Sequence, residues 1–364
     1  MGQLGASNLN PLTSVPTASV TDPFSLGSGA PLPPPTPFNQ VTWFADPHLK
    51  RPYSDDWNFG VQQELGSNTV LTVNYVGSHG SNLDVSTFAD TATTPGPGPI
   101  TARQPFPYLT PAPFDKSVGH SSYNALQASL NGRAVHGLTY LVSYTWSKAL
   151  DIGCTGWYGV EGCSTQTPYD LERDRGPAAT DLPHIFSAAW VYELPFGKGK
   201  FGSGSRVVNY LLGGWTLNGI LSFSSGQPFD AGASGDIANT GNLSFTTGYG
   251  YERANLAGDP YPSSKGPHQW LNPASFQVPT QFTFGNLGRD SLRGDWAKNL
   301  DLSIFKRIPI TEGIRLEFRF EAFNVTNTPV WGLPANNLNG PNFGVVSRTA
   351  NTARQLQFGL KFYF

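Results

Sequence analysis

Charge is the scarcest commodity in this chain: Asp, Glu, Lys and Arg together make up 13% of its 364 residues, about half the usual ~25%. The shortage is not offset by aliphatics, because the hydrophobic fraction is only 38%. Few soluble enzymes of this length combine the two. Net charge is −2, with no clustered Lys/Arg face, so no nucleic-acid footprint is visible. No apolar run approaches the ~18 residues of a transmembrane helix. Met1 to Ser7 has neither a basic n-region nor an apolar h-region, so it is not a secretory signal. Cysteine is nearly missing as well. Cys154 and Cys163 sit in one Gly/Ser/Thr-rich segment, where a loop disulfide or two free thiols both fit.

Catalytic and cofactor chemistry is equally thin. The six His are scattered without metal-ligand spacing. Gly202-Ser203-Gly204-Ser205 lacks the spacing of a nucleophile elbow. Gly197-Lys198-Gly199-Lys200 reads as a polar connection and not a phosphate loop. Asp236, Asn239 and Asn242 have oxygens suited to Ca²⁺, but a solvated loop accounts for them as well. No enzyme, metal or cofactor is expected.

What fills the gap is Gly (41), Pro (31) and aromatics, with 24 Phe, 14 Tyr and 9 Trp. Residues 1–50 are rich in Pro, Ser and Thr, densest at Pro31 to Pro37. Proline lacks the ladder donor, so this segment is expected to be a long loop or linker. From Trp57 the pattern becomes period-two alternation, the mark of strands. Strands are expected at Trp57–Leu65, Leu71–Tyr75, Tyr123–Asn131, Leu138–Ser147, His184–Leu194, Trp215–Ser224, Leu300–Ile304, Ile314–Phe320 and Leu356–Phe364. A Gly/Pro/Thr loop is expected between Tyr75 and Ser121. Connections alternate between short and long, although the one holding Pro195 to Lys200 is long for its side.

About nine strands with that alternation point to an all-β, antiparallel transmembrane β-barrel with long extracellular loops. A secreted β-sandwich is the competing fold. In the barrel, Leu316, Phe318, Phe320, Leu356, Phe358, Leu360 and Phe362 are expected to face lipid. Arg315, Glu317, Arg319 and Glu321 then line a polar lumen. Trp146, Tyr144 and Tyr192 near strand ends suit an aromatic girdle. With an odd number of strands the first and last run the same way, and unpaired edges are not tolerated in lipid. Residues 51–364 therefore read as a partial barrel. An outer-membrane protein must be exported, so either that reading fails or the true N-terminus lies upstream of Met1.

Several stretches are similar to the C-terminal barrel region of TonB-dependent receptors of the Oar-like type. They are Tyr123-Asn124-Ala125-Leu126-Gln127, Ser143-Tyr144-Thr145-Trp146-Ser147, Tyr192-Glu193-Leu194-Pro195-Phe196-Gly197, Phe320-Glu321-Ala322-Phe323-Asn324 and the closing Gln357 to Phe364. The resemblance covers roughly residues 53–364. It implies the outer membrane, its lipid, and the barrel-assembly machinery as partners, with Phe364 as assembly signal. It also implies a plugged barrel of about 22 strands and a TonB box that contacts the energising complex. The plug, the TonB box and the N-terminal barrel half are not in these residues. Uptake of a scarce ligand such as a chelate or oligosaccharide is the implied function of the complete protein. The alternative is a structural or adhesive surface protein without transport.

Overall fold

The computed structural model describes residues 44–107, 113–152, 165–197, 206–242, 251–311 and 313–364. Nine long strands run through them: β1 (Tyr53–Glu64), β2 (Thr69–Phe88), β3 (Pro113–Val135), β4 (Leu138–Asp151), β5 (His184–Glu193), β6 (Trp215–Ser224), β7 (Ala297–Pro309), β8 (Arg315–Phe323) and β9 (Gln355–Tyr363). They form one antiparallel sheet in strict sequence order from β1 to β9. Two two-residue strands bring that sheet to eleven: Gly176–Pro177 pairs with β4, and Phe44–Ala45 pairs in parallel with Phe114–Asp115 of β3. One helix of seven residues, α1 (Arg206–Leu212), precedes β6.

The register gives each face a continuous composition. Phe59, Tyr75, Leu126, Trp146 and, further along, Tyr192, Leu217, Ile304, Phe320 and Phe358 fall on one face. Phe59, Tyr75, Leu126, Trp146 and Phe358 stand open to the surroundings, with Phe59 at 72% and Phe358 at 69% exposure, while Tyr192, Leu217, Ile304 and Phe320 are half-buried. The opposite face carries Gln62, Thr72, Ser129, Ser143, Asn218, Ser303, Glu317 and Lys361. A one-residue slip would exchange the two faces, so the pattern pins the register. Three glycines on the apolar face lie beneath a cross-strand ring. A Cβ at Gly77, Gly132 or Gly219 would stand 2.2, 2.3 or 2.1 Å from Trp57, Tyr140 or Trp190. Each ring shields the bare backbone of its neighbour and fixes that pair's alignment.

The two rims differ. One has turns at residues 65–68, 136–137 and 310–314, plus the α1 connection. His136 and Gly137 have φ of 50° and 84°, the doubly left-handed geometry that lets a two-residue turn follow the strand twist. The other rim carries the long connections 89–112, 152–183, 225–296 and 324–354. These contain an apolar core of their own, built around Phe229, Trp270, Leu271, Phe276, Leu287 and Leu292.

Strands β5, β6, β8 and β9 start and stop within three residues of where alternation places them; β1 and β4 run four residues further at one end, and β7 is longer at both ends than Leu300–Ile304. The loop expected between Tyr75 and Ser121 is a correction. Strand β2 continues to Phe88 and β3 begins at Pro113, with register shifts around Leu83. Val85, Thr87 and Phe88 are all buried there. A stretch covered on both faces has no reason to alternate, which is why the pattern fades. Residues 1–43, and the cysteine segment 153–164, lie outside the described residues.

Candidate functional site: the polar face and its loop cap

On the polar face β7 to β9 place Arg315, Glu317, Arg319 and Glu321 in one row, opposite Tyr363, Lys361, Gly359 and Gln357. Glu317 is 4% exposed because two arginines close over it. Arg307 Nε donates to its Oε2 at 3.3 Å, and Arg319 Nε donates to its Oε1 at 2.6 Å. Arg319 also lies over the Phe305 ring at 4.5 Å, and Arg315 over Tyr363 at 4.4 Å. Such stacking keeps a planar cation in place after its ion pair is made. The intervening positions face the other way and hold Leu316, Phe318 and Phe320 with their partners Phe362, Leu360 and Phe358.

Beside this ladder the sheet curls around a cavity of about 520 Å³. Its wall is less polar than the rest of that face. Leu141, Ala189 and Ile220 stand side by side on β4, β5 and β6, with Val191 and Phe323 close by. Asn131, Asn218, Ser303, Asp301 and Glu321 frame the patch. The arrangement suits a ligand with an apolar body and polar edges, in the usual manner of binding clefts.

The long connections fold over the rim as a cap held by buried charge. Arg253 donates to Asp174 Oδ1 at 2.5 Å, to Gln166 Oε1 at 2.8 Å, and to the Leu287 and Arg173 carbonyls at 2.9 Å each. Arg289 pairs with Asp151 and donates to the carbonyls of Asp174 and Gly176. Arg293 pairs with Asp181, which also accepts from Lys148 at 3.2 Å and from the Ala149 N–H at 2.6 Å. Asp151 and Lys148 belong to β4, so these pairs lock the cap to the sheet. Buried pairs of this kind hold geometry well, and breaking one leaves a costly lone charge.

Glu252 is the exception inside the cap. It is buried with Oε2 lacking a hydrogen-bond partner, and burial, reinforced by Asp236, pushes its carboxyl up to about 8.

Asp236, Asn239 and Asn242 are tied into the cap by hydrogen bonds and do not form a solvated loop. Asp236 accepts from the Thr240 and Gly241 N–H groups at 2.8 and 2.7 Å, and Asn239 donates to the Gly96 and Gly98 carbonyls. Among the described residues no group of three His, Cys, Asp or Glu could hold a metal. Tyr144 and Trp146 sit at the cap end of β4, where Tyr144 meets His184 Nδ1 at 2.8 Å and His184 stacks on Trp296. Tyr192 lies toward the other rim. The aromatics therefore mark both ends of the apolar band.

Sequence reading missed the buried ions Asp174, Asp181, Arg253 and Arg289, and the half-buried Arg293. A signal did exist: in so charge-poor a chain, Glu172-Arg173-Asp174-Arg175 and Gly288-Arg289-Asp290-Ser291-Leu292-Arg293 are conspicuous local concentrations.

A wide antiparallel sheet with an exposed aromatic band, a polar reverse face and unequal rims defines an outer-membrane barrel architecture. A family model described as outer membrane beta barrel domain matches residues 3–357. The chain belongs to that family, and its place is the outer membrane. No curated protein matches it. Among solved structures it is similar to the outer membrane transporter YddB from Escherichia coli, at 12% identity and TM-score 0.45, over 87% of this chain and 33% of that one. It is also similar to BauA, the ferric preacinetobactin receptor from Acinetobacter baumannii, at 10% identity and TM-score 0.43, over 85% and 29%. A third is the pyoverdine outer membrane receptor FpvA from Pseudomonas aeruginosa, at 10% identity and TM-score 0.41, over 87% and 30%. The chain thus spans about a third of the length of these proteins.

Proposed function

We propose that this chain forms part of the barrel wall of an outer-membrane, TonB-dependent transporter of the Oar-like type, which takes up a scarce ligand such as a chelate or oligosaccharide. The observation that carries the proposal is the division of the sheet into one predominantly apolar face and one polar face lined by the Arg307–Glu317–Arg319 network. Leu316, Phe318, Phe320, Leu356, Phe358, Leu360 and Phe362 contact lipid; Arg315, Glu317, Arg319 and Glu321 line the lumen. The long-connection cap is extracellular and the short-turn rim periplasmic. Phe364, fully open beyond β9, acts as the signal for the barrel-assembly machinery.

Edge arithmetic supports a part and not a whole barrel. Strands β1 and β9 are the two edges of the sheet and run in the same direction. A second copy would create two parallel seams. Antiparallel closure requires an odd number of further strands, and lipid leaves no edge unpaired. The energising complex would be engaged through those further segments.

Cysteines introduced by Arg319→Cys and Phe358→Cys, in a Cys154→Ser/Cys163→Ser background, test the faces in lipid vesicles. A water-soluble maleimide should label the first and spare the second; the reverse pattern ends the assignment. For transport, cells carrying the complete reading frame should take up a labelled ferric chelate or oligosaccharide only when TonB is intact. Ligand held at the surface without TonB-linked uptake would establish the adhesive alternative instead.

A further inference from the structure

Helix α1 interrupts the rule of short turns on its rim, and its composition is odd for a water-facing connection. Val207, Tyr210 and Leu211 stand at i, i+3 and i+4, one stripe of a helix, and are 66%, 61% and 59% exposed. Leu212, about 100° further round the helix, is also exposed.

The helix end is fastened to the apolar face of the sheet. Trp215 and Lys306 are cross-strand partners there, in the same row as Leu217 and Ile304. Trp215 Nε1 donates to the Leu211 carbonyl at 3.0 Å. Lys306 Nζ donates to the carbonyls of Leu211 at 3.1 Å and Gly213 at 2.8 Å, and lies 4.9 Å from the Trp215 ring centre. Lys306 has Ile308 and Phe318 around it in the register, and its side chain is buried. A lysine in such a row is expensive unless it reaches polar partners near the interface. It finds them at the carbonyl end of α1, where the helix dipole also favours a cation.

From this we infer that α1 is a membrane foot: its apolar stripe enters the phospholipid leaflet at the short-turn rim, with Lys306 and Trp215 as the clamp. Continuity decides the occupant. The stripe adjoins the apolar band on its outer side, so the surface that covers that band also covers the stripe. An interfacial helix of this kind buries its apolar face about 5–10 Å into the headgroup/acyl boundary, which matches a short element tied one row in from Ile308, Leu316 and Phe362. The inference rests on the outward orientation of the apolar face proposed above.

The complete barrel protein that contains this chain, in a Cys154→Ser/Cys163→Ser background and inserted into phosphatidylethanolamine/phosphatidylglycerol vesicles, provides the test. An environment-sensitive fluorophore is placed by Leu211→Cys, by Phe358→Cys on the band, or by Val278→Cys in the cap. The quencher is a lipid carrying a nitroxide close to the headgroup. The Leu211 probe should lose most of its emission, the Phe358 probe should also be quenched, and the Val278 probe should be untouched. Quenching at Phe358 without quenching at Leu211 overturns the foot and leaves the barrel orientation intact. No quenching at either position overturns both. Lys306→Met, an apolar change on an apolar face, should preserve the Phe358 signal while relieving quenching at Leu211. If Leu211 stays fully quenched in that variant, Lys306 is not the clamp.

Discussion

The sheet and its cap solve the same problem in opposite ways. In the sheet, backbone groups are paired by long regular ladders and the largest apolar side chains point outward. In the cap, there is little regular structure, Trp270, Leu271 and Phe276 point inward, and arginines pair with Asp174 and Asp181 at the centre. In the orientation proposed above the sheet meets hydrocarbon and has no need of an interior core, because the solvent itself is apolar and only the backbone must be satisfied internally. A cap in water must bury apolar area and neutralise whatever charge it encloses. One chain therefore carries two stability logics, separated at the rim where Asp151 and Lys148 of β4 receive the cap's ion pairs.

The comparison is most sharply broken from the cap side. Arg253→Met should leave Asp174 buried without its partner and cost about 3–5 kcal/mol locally. Limited proteolysis of vesicle-bound protein should then cut within residues 225–296 while the strands stay protected. Unchanged cleavage would show that the cap is not held by its ions.

The counterpart on the sheet is Phe320→Arg, at mid-strand on the apolar face, which should cost roughly 2–4 kcal/mol near the bilayer midplane. Its effect belongs in the folding yield in lipid, with cap protease resistance unchanged in whatever folds. Equal yields for the two proteins would argue against lipid contact at that face.

Glu252 adds a pH dependence that only the cap should show. Its folded carboxyl titrates near 8, well above the ~4.3 of an exposed glutamate. The native cap therefore binds a proton that the opened cap releases. The stabilisation it carries is complete below about pH 4 and is lost progressively as pH rises toward 8. Hydrogen exchange in residues 230–254 should accelerate over that range in the wild-type chain and not in Glu252→Gln. Identical profiles would remove Glu252 from the account.

The smallest effect is expected from Gly219→Ala. Its Cβ would stand 2.1 Å from the Trp190 ring, so the ring must leave its place over the strand, at about 1–2 kcal/mol. Thermal unfolding in vesicles should fall modestly, and Trp190→Ala in the same background should recover none of it if shielding is what matters.

Alternation alone makes most of the sheet legible. The runs from Leu138, Trp215 and Gln355 contain their own register, because a half-covered strand must sort its side chains by face. The same reasoning fails at Val85–Phe88, where both sides are covered, and at α1, where Val207, Tyr210 and Leu211 repeat at helical spacing inside a connection expected to be polar. It fails most completely for Asp174, Arg253 and Arg289. Their sequence neighbours are mostly glycine and polar or charged residues, and nothing local tells a buried loop arginine from a solvated one.

The sequence by itself determined the class of fold, the composition of the two faces and the inequality of the rims, since each follows from spacing along a single strand or connection. Only the tertiary structure decided what the long connections do. Asp174 and Arg253 are separated by 79 positions, and Asp151 and Arg289 by 138. Pairing across such distances depends on how whole connections pack, which no local period records.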